Sequence, residues 1–142
     1  MLYTDLTKKA MAFAYKAHEG QVDKGGVPYI FHPFHVAEQM HTEAEVCVAL
    51  LHDVIEDTDY TEEDIRKLGF DAEIVDAVVA ITKLPGEDYM DYIRRLKQNA
   101  LARAVKEADI VHNSDVTRLP GDDKYNDRLL KKYAAAKKIL ES

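Results

Sequence analysis

Apolar side chains return at intervals of three and four, not two, along nearly the whole of this chain, and that period selects helices over strands. Leu6, Ala10, Phe13 and Ala17 form one such stripe, Ile74, Val75, Val78 and Val79 a second, and Leu129, Tyr133, Ala136 and Leu140 a third. Helix starts are signalled where this reading needs them: Thr42 is followed by Glu45, Thr61 by Asp64, and Asp71 precedes an apolar run. Pro33 suits a first helical position, because its missing N–H would lack a partner there in any case. Turn-forming residues interrupt the pattern at 20–28, 57–60, 68–70, Pro85-Gly86 and 120–123. The chain therefore reads as all-α, a bundle of about seven to eight helices over 5–18, 33–40, 43–52, 61–67, 72–82, 88–97, 100–113 and 124–140. Its 142 residues contain no internal repeat or Pro/Gly/Ser-rich linker, so one domain over 1–142 is expected.

A chain of this length buries about 68% of the surface its unfolded form exposes, enough for a core without disulfide or metal staples. Nineteen Lys+Arg against 26 Asp+Glu give a formal charge of −7. That field repels phosphate backbones and anionic headgroups, so neither nucleic acid nor membrane is an expected partner. The single Cys47, between Val46 and Val48, cannot form an internal disulfide and reads as a small buried hydrophobe in a reducing compartment. No membrane span or signal-peptide pattern is present, and a cytoplasmic location is expected.

The densest chemical signal is the run Leu50-Leu51-His52-Asp53-Val54-Ile55-Glu56-Asp57-Thr58, where an apolar helix turns abruptly polar. If the helical turn continues, His52 stacks over Glu56 and Asp53 over Asp57. Three carboxylates beside an imidazole repel one another unless something neutralises them, and a divalent metal is the simplest neutraliser. Acidic residues capping a solvated helix end are the alternative, although acids ordinarily favour the opposite end of a helix. Asp109 and Asn113, also four apart, could add an oxygen ligand, unless Asp109 is simply a surface residue of an amphipathic helix. His32 sits among apolar neighbours directly before Pro33, which points its imidazole at an interior or pocket wall. Together His32, His52, Asp53 and Asp109 form a mixed nitrogen-oxygen set suited to Mn, Fe or Zn in an open site.

A lone His before a helix, a His-Asp doublet at a helix end and a late Asp resemble the signature of the HD superfamily of metal-dependent phosphohydrolases. Within it, Gly20-Gln21, Lys24, Gly26, Pro28-Tyr29-Ile30, His32-Pro33, the run ending Glu56-Asp57-Thr58, Thr82-Lys83-Leu84 and Ala108-Asp109 with His112-Asn113 resemble the hydrolase domain of RelA/SpoT homologues, from about residue 18 to 119. That resemblance implies removal of the 3′-diphosphate of (p)ppGpp, giving GDP or GTP and pyrophosphate, usually with Mn²⁺, and a small stand-alone alarmone hydrolase. It makes His32, His52, Asp53 and Asp109 the metal ligands, and Glu56 and Asp57 the acidic pair that handles the attacking water. Asn113 would contact the nucleotide, while Lys24 and Lys83 would offset phosphate charge. His112 lies inside the motif with a packing, hydrogen-bonding or catalytic role open to it.

Two features depart from the family pattern. Asp23 stands where a basic residue, commonly Arg, usually precedes the position of Lys24, and Ser114 to Leu119 replaces an Arg-containing run. The nucleotide-facing rim thus differs while the metal core does not. A phosphohydrolase of another nucleotide or metabolite, and a non-catalytic nucleotide-sensing module, are the alternative readings.

Overall fold

Helix α3 (Glu43–Leu51) organises the molecule. It is apolar on every side, and Val46 through Leu51 are all completely buried, as a helix surrounded by other helices must be. In this computed structural model, which describes all of residues 1–142, α3 packs against α1 (Asp5–Ala17), α2 (Phe31–Glu38), α6 (Ala72–Ile81) and α8 (Ala100–Asn113). Helices α5 (Glu62–Lys67), α7 (Tyr89–Leu96) and α9 (Asp123–Glu141) complete the bundle, with α9 lying across α7 and α8. One connected core of 26 buried apolar residues joins these elements. Cys47 is wholly inside it, and burial pushes its thiol up to about 12, where it is inert. No helix is long and apolar enough to cross a membrane.

The all-α reading holds, and the eight helices of six residues or more start and stop within two residues of the positions set by periodicity. Thr42 and Thr61 cap as expected: Thr42 Oγ1 accepts from the Glu45 N–H at 3.2 Å while Glu45 Oε1 accepts from the Thr42 N–H at 3.0 Å, and Thr61 and Asp64 do the same. Asp71 does precede α6, but its side chain makes no capping bond. Pro33 is not the first residue of its helix. Phe31 is, and Pro33 occupies the last position of the first turn whose N–H has no partner within the helix.

The continuous turn expected through 52–58 is broken. α3 stops at Leu51, His52 and Asp53 form the junction, and a one-turn helix α4 (Val54–Asp57) resumes beyond them. A further short 3₁₀ turn (Val116–Arg118) follows α8. Where α6 ends, Arg95 of α7 closes the junction: its guanidinium donates to the carbonyls of Ala80 and Thr82 at 3.1 and 3.0 Å and grips Glu87 through two bonds of 2.8 and 2.9 Å. That fork satisfies carbonyls at the helix end and holds the Lys83-Leu84 segment in place.

Because Leu50 is fully enclosed by helices that cannot all close in on a void, Leu50→Ala should cost about 2–5 kcal/mol. Urea unfolding should show a lower midpoint with an unchanged slope, and a midpoint equal to wild type would contradict the placement of α3 at the centre.

Candidate metal centre and flanking cavity

Four side chains from three directions meet beneath the surface. His32 comes from the first turn of α2, His52 and Asp53 from the junction after α3, and Asp109 from the third turn of α8. His32, His52 and Asp109 are 2–4% exposed. One donor atom from each of the four lies within 4.8 Å of all the others. His32 Nε2 is 2.8 Å from Asp109 Oδ1 and 3.6 Å from Asp53 Oδ2; His52 Nε2 is 3.3 and 3.1 Å from the same two oxygens. An ion bonded to nitrogen and oxygen at about 2.0–2.2 Å separates neighbouring ligand atoms by about 3.0–3.5 Å, so these spacings fit a single divalent cation. Two imidazoles and two carboxylates leave further coordination positions open.

The surroundings fix each donor. His52 Nδ1 bonds to the Ala49 carbonyl at 2.5 Å, and the Tyr29 hydroxyl donates to Asp53 Oδ2 at 2.6 Å. Asp109 receives the Asn113 amide at 3.1 Å and the Lys106 ammonium at 2.9 Å. Burial opposes charge on His52, Asp53 and Asp109, but the opposite charges outweigh it. His52 is held well above its ordinary value by Asp53 and Asp109, Asp53 is drawn down to about 2 chiefly by His52, and Asp109 is held far below the usual carboxylate range by Lys106 and the two histidines.

Glu56 and Asp57 enter the same space by different routes. The Asp57 N–H bonds to the Asp53 carbonyl at 2.9 Å, and the Tyr29 hydroxyl spans both carboxylates, reaching Asp57 Oδ2 at 3.2 Å. The expected Asp53–Asp57 pairing therefore survives the break between α3 and α4. Glu56 turns instead toward the end of α6, where its Oε1 accepts from the Lys83 N–H at 2.9 Å. Burial pushes the Asp57 carboxyl up to about 6, reinforced by the negative charge of Asp53 and Glu56.

The cavity over this centre has two lobes that share Tyr29, Asn113 and Tyr133. One, of about 270 Å³, holds Asp53, Glu56, Asp57 and Asp109 together with Lys83, Lys106 and Lys132. The other, of about 250 Å³, is bounded by Val22, Leu119 and Leu129, with Lys24 and Arg118 at its edge. Neither alone reaches the roughly 300–1,000 Å³ of a small-molecule site, and together they do. Five cations, Lys24, Lys83, Lys106, Lys132 and Arg118, stand against five carboxylates, Asp23, Asp53, Glu56, Asp57 and Asp109, so the cavity lining carries no net formal charge in a molecule of −7. Lys24 hydrogen-bonds the Tyr125 hydroxyl and lies 4.9 Å from the centre of that ring. Asp23 is not a bare carboxylate in the cavity: its Oδ1 accepts from the Gly25 and Val27 N–H groups at 2.8 and 3.0 Å, and its Oδ2 lies 3.7 Å from Arg118.

Of the residues singled out by sequence, His32, Asp53, Asp109, Glu56, Asp57, Lys24, Lys83 and Asn113 line the two lobes, while His52 lies buried beneath them and His112 lies outside their lining. Sequence reasoning passed over Tyr29 as a working group, Lys106, Arg118, Lys132 and Tyr133. Lys106 could have been found, since it precedes Asp109 by three residues and so shares its helix face. Arg118 and Lys132 reach the cavity only through tertiary packing. Of the remaining histidines, His18 is buried with Nδ1 bonded to Gln21 at 2.7 Å, and His35 stacks on His112.

Residues 10–113 match the family model described as HD domain. The chain belongs to the HD-domain family. It is 42% identical over 111 residues to the guanosine-3′,5′-bis(diphosphate) 3′-pyrophosphohydrolase of Haemophilus influenzae, covering 68% of this chain and 16% of that protein. It is 37% identical over 120 residues to the bifunctional (p)ppGpp synthase/hydrolase SpoT of Escherichia coli, covering 75% of this chain and 17% of that one. The chain thus spans less than a fifth of the length of these relatives. A solved structure described as a metazoan orthologue of SpoT that hydrolyses ppGpp superposes with a TM-score of 0.76 over 99% of this chain and 94% of that one, at 23% identity, and shows that the fold is shared.

Asp57 gives this HD-domain centre a measurable pH signature. Its folded value of about 6 lies above the ordinary 3.8, so its contribution to stability is complete below about pH 4 and is lost as pH rises through 6. In metal-free protein, Asp57→Asn should therefore be more stable than wild type at pH 7.5, by about 1 kcal/mol after allowance for solvent screening, and equal to it at pH 4. Chemical unfolding of chelator-treated protein at the two pH values checks this; the same difference at both would show that Asp57 is not perturbed.

Proposed function

We propose that this HD domain is a metal-dependent hydrolase that removes the 3′-diphosphate of guanosine alarmones, converting (p)ppGpp to GDP or GTP and pyrophosphate. The observation that carries the reading is the meeting of His32, His52, Asp53 and Asp109 at the floor of a cavity with a lysine-rich lobe and an apolar-walled lobe. A diphosphate needs the first and a nucleoside the second. The names of the Haemophilus influenzae and Escherichia coli relatives support the substrate class.

In this reading His32, His52, Asp53 and Asp109 hold one divalent ion, Mn²⁺ or another transition metal. When bound, it would bring the pKa of water toward 7 and polarise a phosphoryl oxygen. Asp57, poised near neutrality, takes the proton of the attacking water, and Glu56 keeps the end of α6 in place while adding negative charge beside that base. The water oxygen joins phosphorus, the bond from phosphorus to the 3′-oxygen breaks, and the 3′-oxygen leaves with a proton. Lys83 and Lys132 face the diphosphate, while Lys24 and Asn113 receive the nucleotide at the junction of the lobes. A reducing cytoplasm suits the lone thiol of Cys47.

The rim favours one second reading. Asp23 and Arg118 pair at the nucleoside lobe, and the segment after Asn113 departs from the resembled pattern; in the second reading the same chemistry is aimed at a different phosphorylated nucleotide.

Metal analysis after reconstitution with Mn²⁺ should return about one ion per chain, from two imidazoles and two carboxylates matched to a divalent charge, and His52→Ala should lose it. Full metal affinity in that variant would refute the ligand assignment. Asp57→Asn should keep the fold and most of the metal affinity yet lower kcat by about 10²–10⁴, and Glu56→Gln, which keeps an acceptor for the Lys83 N–H but removes the charge beside the base, should lower it by a smaller factor. The deciding assay is pyrophosphate release from ppGpp by Mn²⁺-loaded protein beside a panel of other nucleotides. Turnover of another member of the panel with none of ppGpp would replace the alarmone by that substrate.

A further inference from the structure

The two histidines of the metal centre are held by different devices. The Nδ1 of His52 meets a backbone carbonyl, that of Ala49, which can only accept. The Nδ1 of His32 meets another imidazole: His112 Nδ1 lies 2.8 Å away, with the two ring planes within 6° of parallel. His112 follows Asp109 by three residues on α8, so one turn of that helix grips both nitrogens of the His32 ring, Asp109 on Nε2 at 2.8 Å and His112 on Nδ1 at 2.8 Å. His112 is itself fixed from two sides. His35 stacks on its ring with centroids 3.9 Å apart, and the Arg118 guanidinium donates to its carbonyl at 2.8 Å.

From this arrangement we infer that His112 is a positioning residue for the metal centre, accepting a hydrogen bond from the Nδ1–H of His32 and so presenting the Nε2 lone pair of His32 to the ion. The inference rests on the four-residue metal reading above. The proton count leaves one arrangement once a metal is bound. Two imidazole nitrogens 2.8 Å apart share a single proton. A His32 that ligates through Nε2 is neutral and carries its proton on Nδ1, so His112 must offer a lone pair at Nδ1 and carry its own proton on Nε2. His112 is not one of the four donors; it acts through the tautomer and ring orientation of His32.

The test uses the intact chain with metal alone. In Zn²⁺-loaded protein, long-range ¹H–¹⁵N correlation spectra should show His32 Nδ1 protonated and His112 Nδ1 unprotonated. A protonated His112 Nδ1 would overturn the inference, and this reading needs no variant to fold. Calorimetric titration with Mn²⁺ gives a second, independent readout. His112→Phe keeps an aromatic ring for His35 to stack on but removes the acceptor, and should weaken binding 10–100-fold. His112→Asn, whose Oδ1 can stand near the position of Nδ1, should restore affinity close to wild type. Equal affinity in the Phe variant, or an Asn variant as weak as Phe, would overturn the inference while leaving the metal centre standing. Wild-type protein that binds no metal would remove both.

Discussion

The rest of this structure depends on placing two carboxylates and two imidazoles with donor atoms within 4.8 Å of one another where little water reaches. Isolated, any of these charges would be costly to bury. The fold offsets that cost with partners drawn from separate elements: Lys106 and Asn113 from α8, Tyr29 ahead of α2, the carbonyl of Ala49 from α3. α2, α3 and α8 are thus tied together at a polar point as well as through apolar contacts. The apolar character of α3 is what drives the centre inward, since a helix buried on all sides ends inside the protein and delivers its next residues there. A cation is the natural complement of this arrangement, and the C-terminal end of α3 adds carbonyl dipoles of the same preference.

Charge is distributed unevenly: the molecule is acidic overall, while the five carboxylates of the cavity are matched by five cations. The molecule carries a formal −7, while Lys24, Lys83, Lys106, Lys132 and Arg118 line the cavity above the metal centre. Not all of this positive charge is available to a ligand. Lys106 is committed to Asp109, and Arg118 to Asp23 and to the backbone of His112. Lys83 and Lys132 remain in the lobe beside Glu56 and Asp57, with no carboxylate partner of their own. Burial and then Asp53, one of the four donors, raise the proton affinity of Asp57, so in the proposed reading the base is tuned by a member of the metal set.

Much of this was legible in one dimension. The helices could be read because burial on a helix repeats at 3.6 residues, and capping at Thr42 and Thr61 because the partners lie three residues apart. The His52-Asp53-Glu56-Asp57 run announced a polar cluster for the same local reason. What could not be read were interactions between residues far apart in the chain. Asp23, seen alone, is a negative charge where phosphate should bind; in the fold it caps its own loop and faces Arg118, 95 residues later. Lys24 is taken up by Tyr125, a hundred and one residues away. Even within the motif, the break between α3 and α4 was hidden, because residues that favour a helix on both sides carry no signal of a junction between them.

The sequence by itself determined the helices, the caps at Thr42 and Thr61 and a candidate set of four donors, because each of those is set by side-chain type at short spacing along one backbone. Only the tertiary structure decided that the donors converge, which lysines remain free, and that His32 is gripped on both ring nitrogens by a single turn of α8. The physical reason is that convergence depends on how α2 and α8 pack against α3, and that packing is a property of the whole buried surface rather than of any segment that supplies a donor.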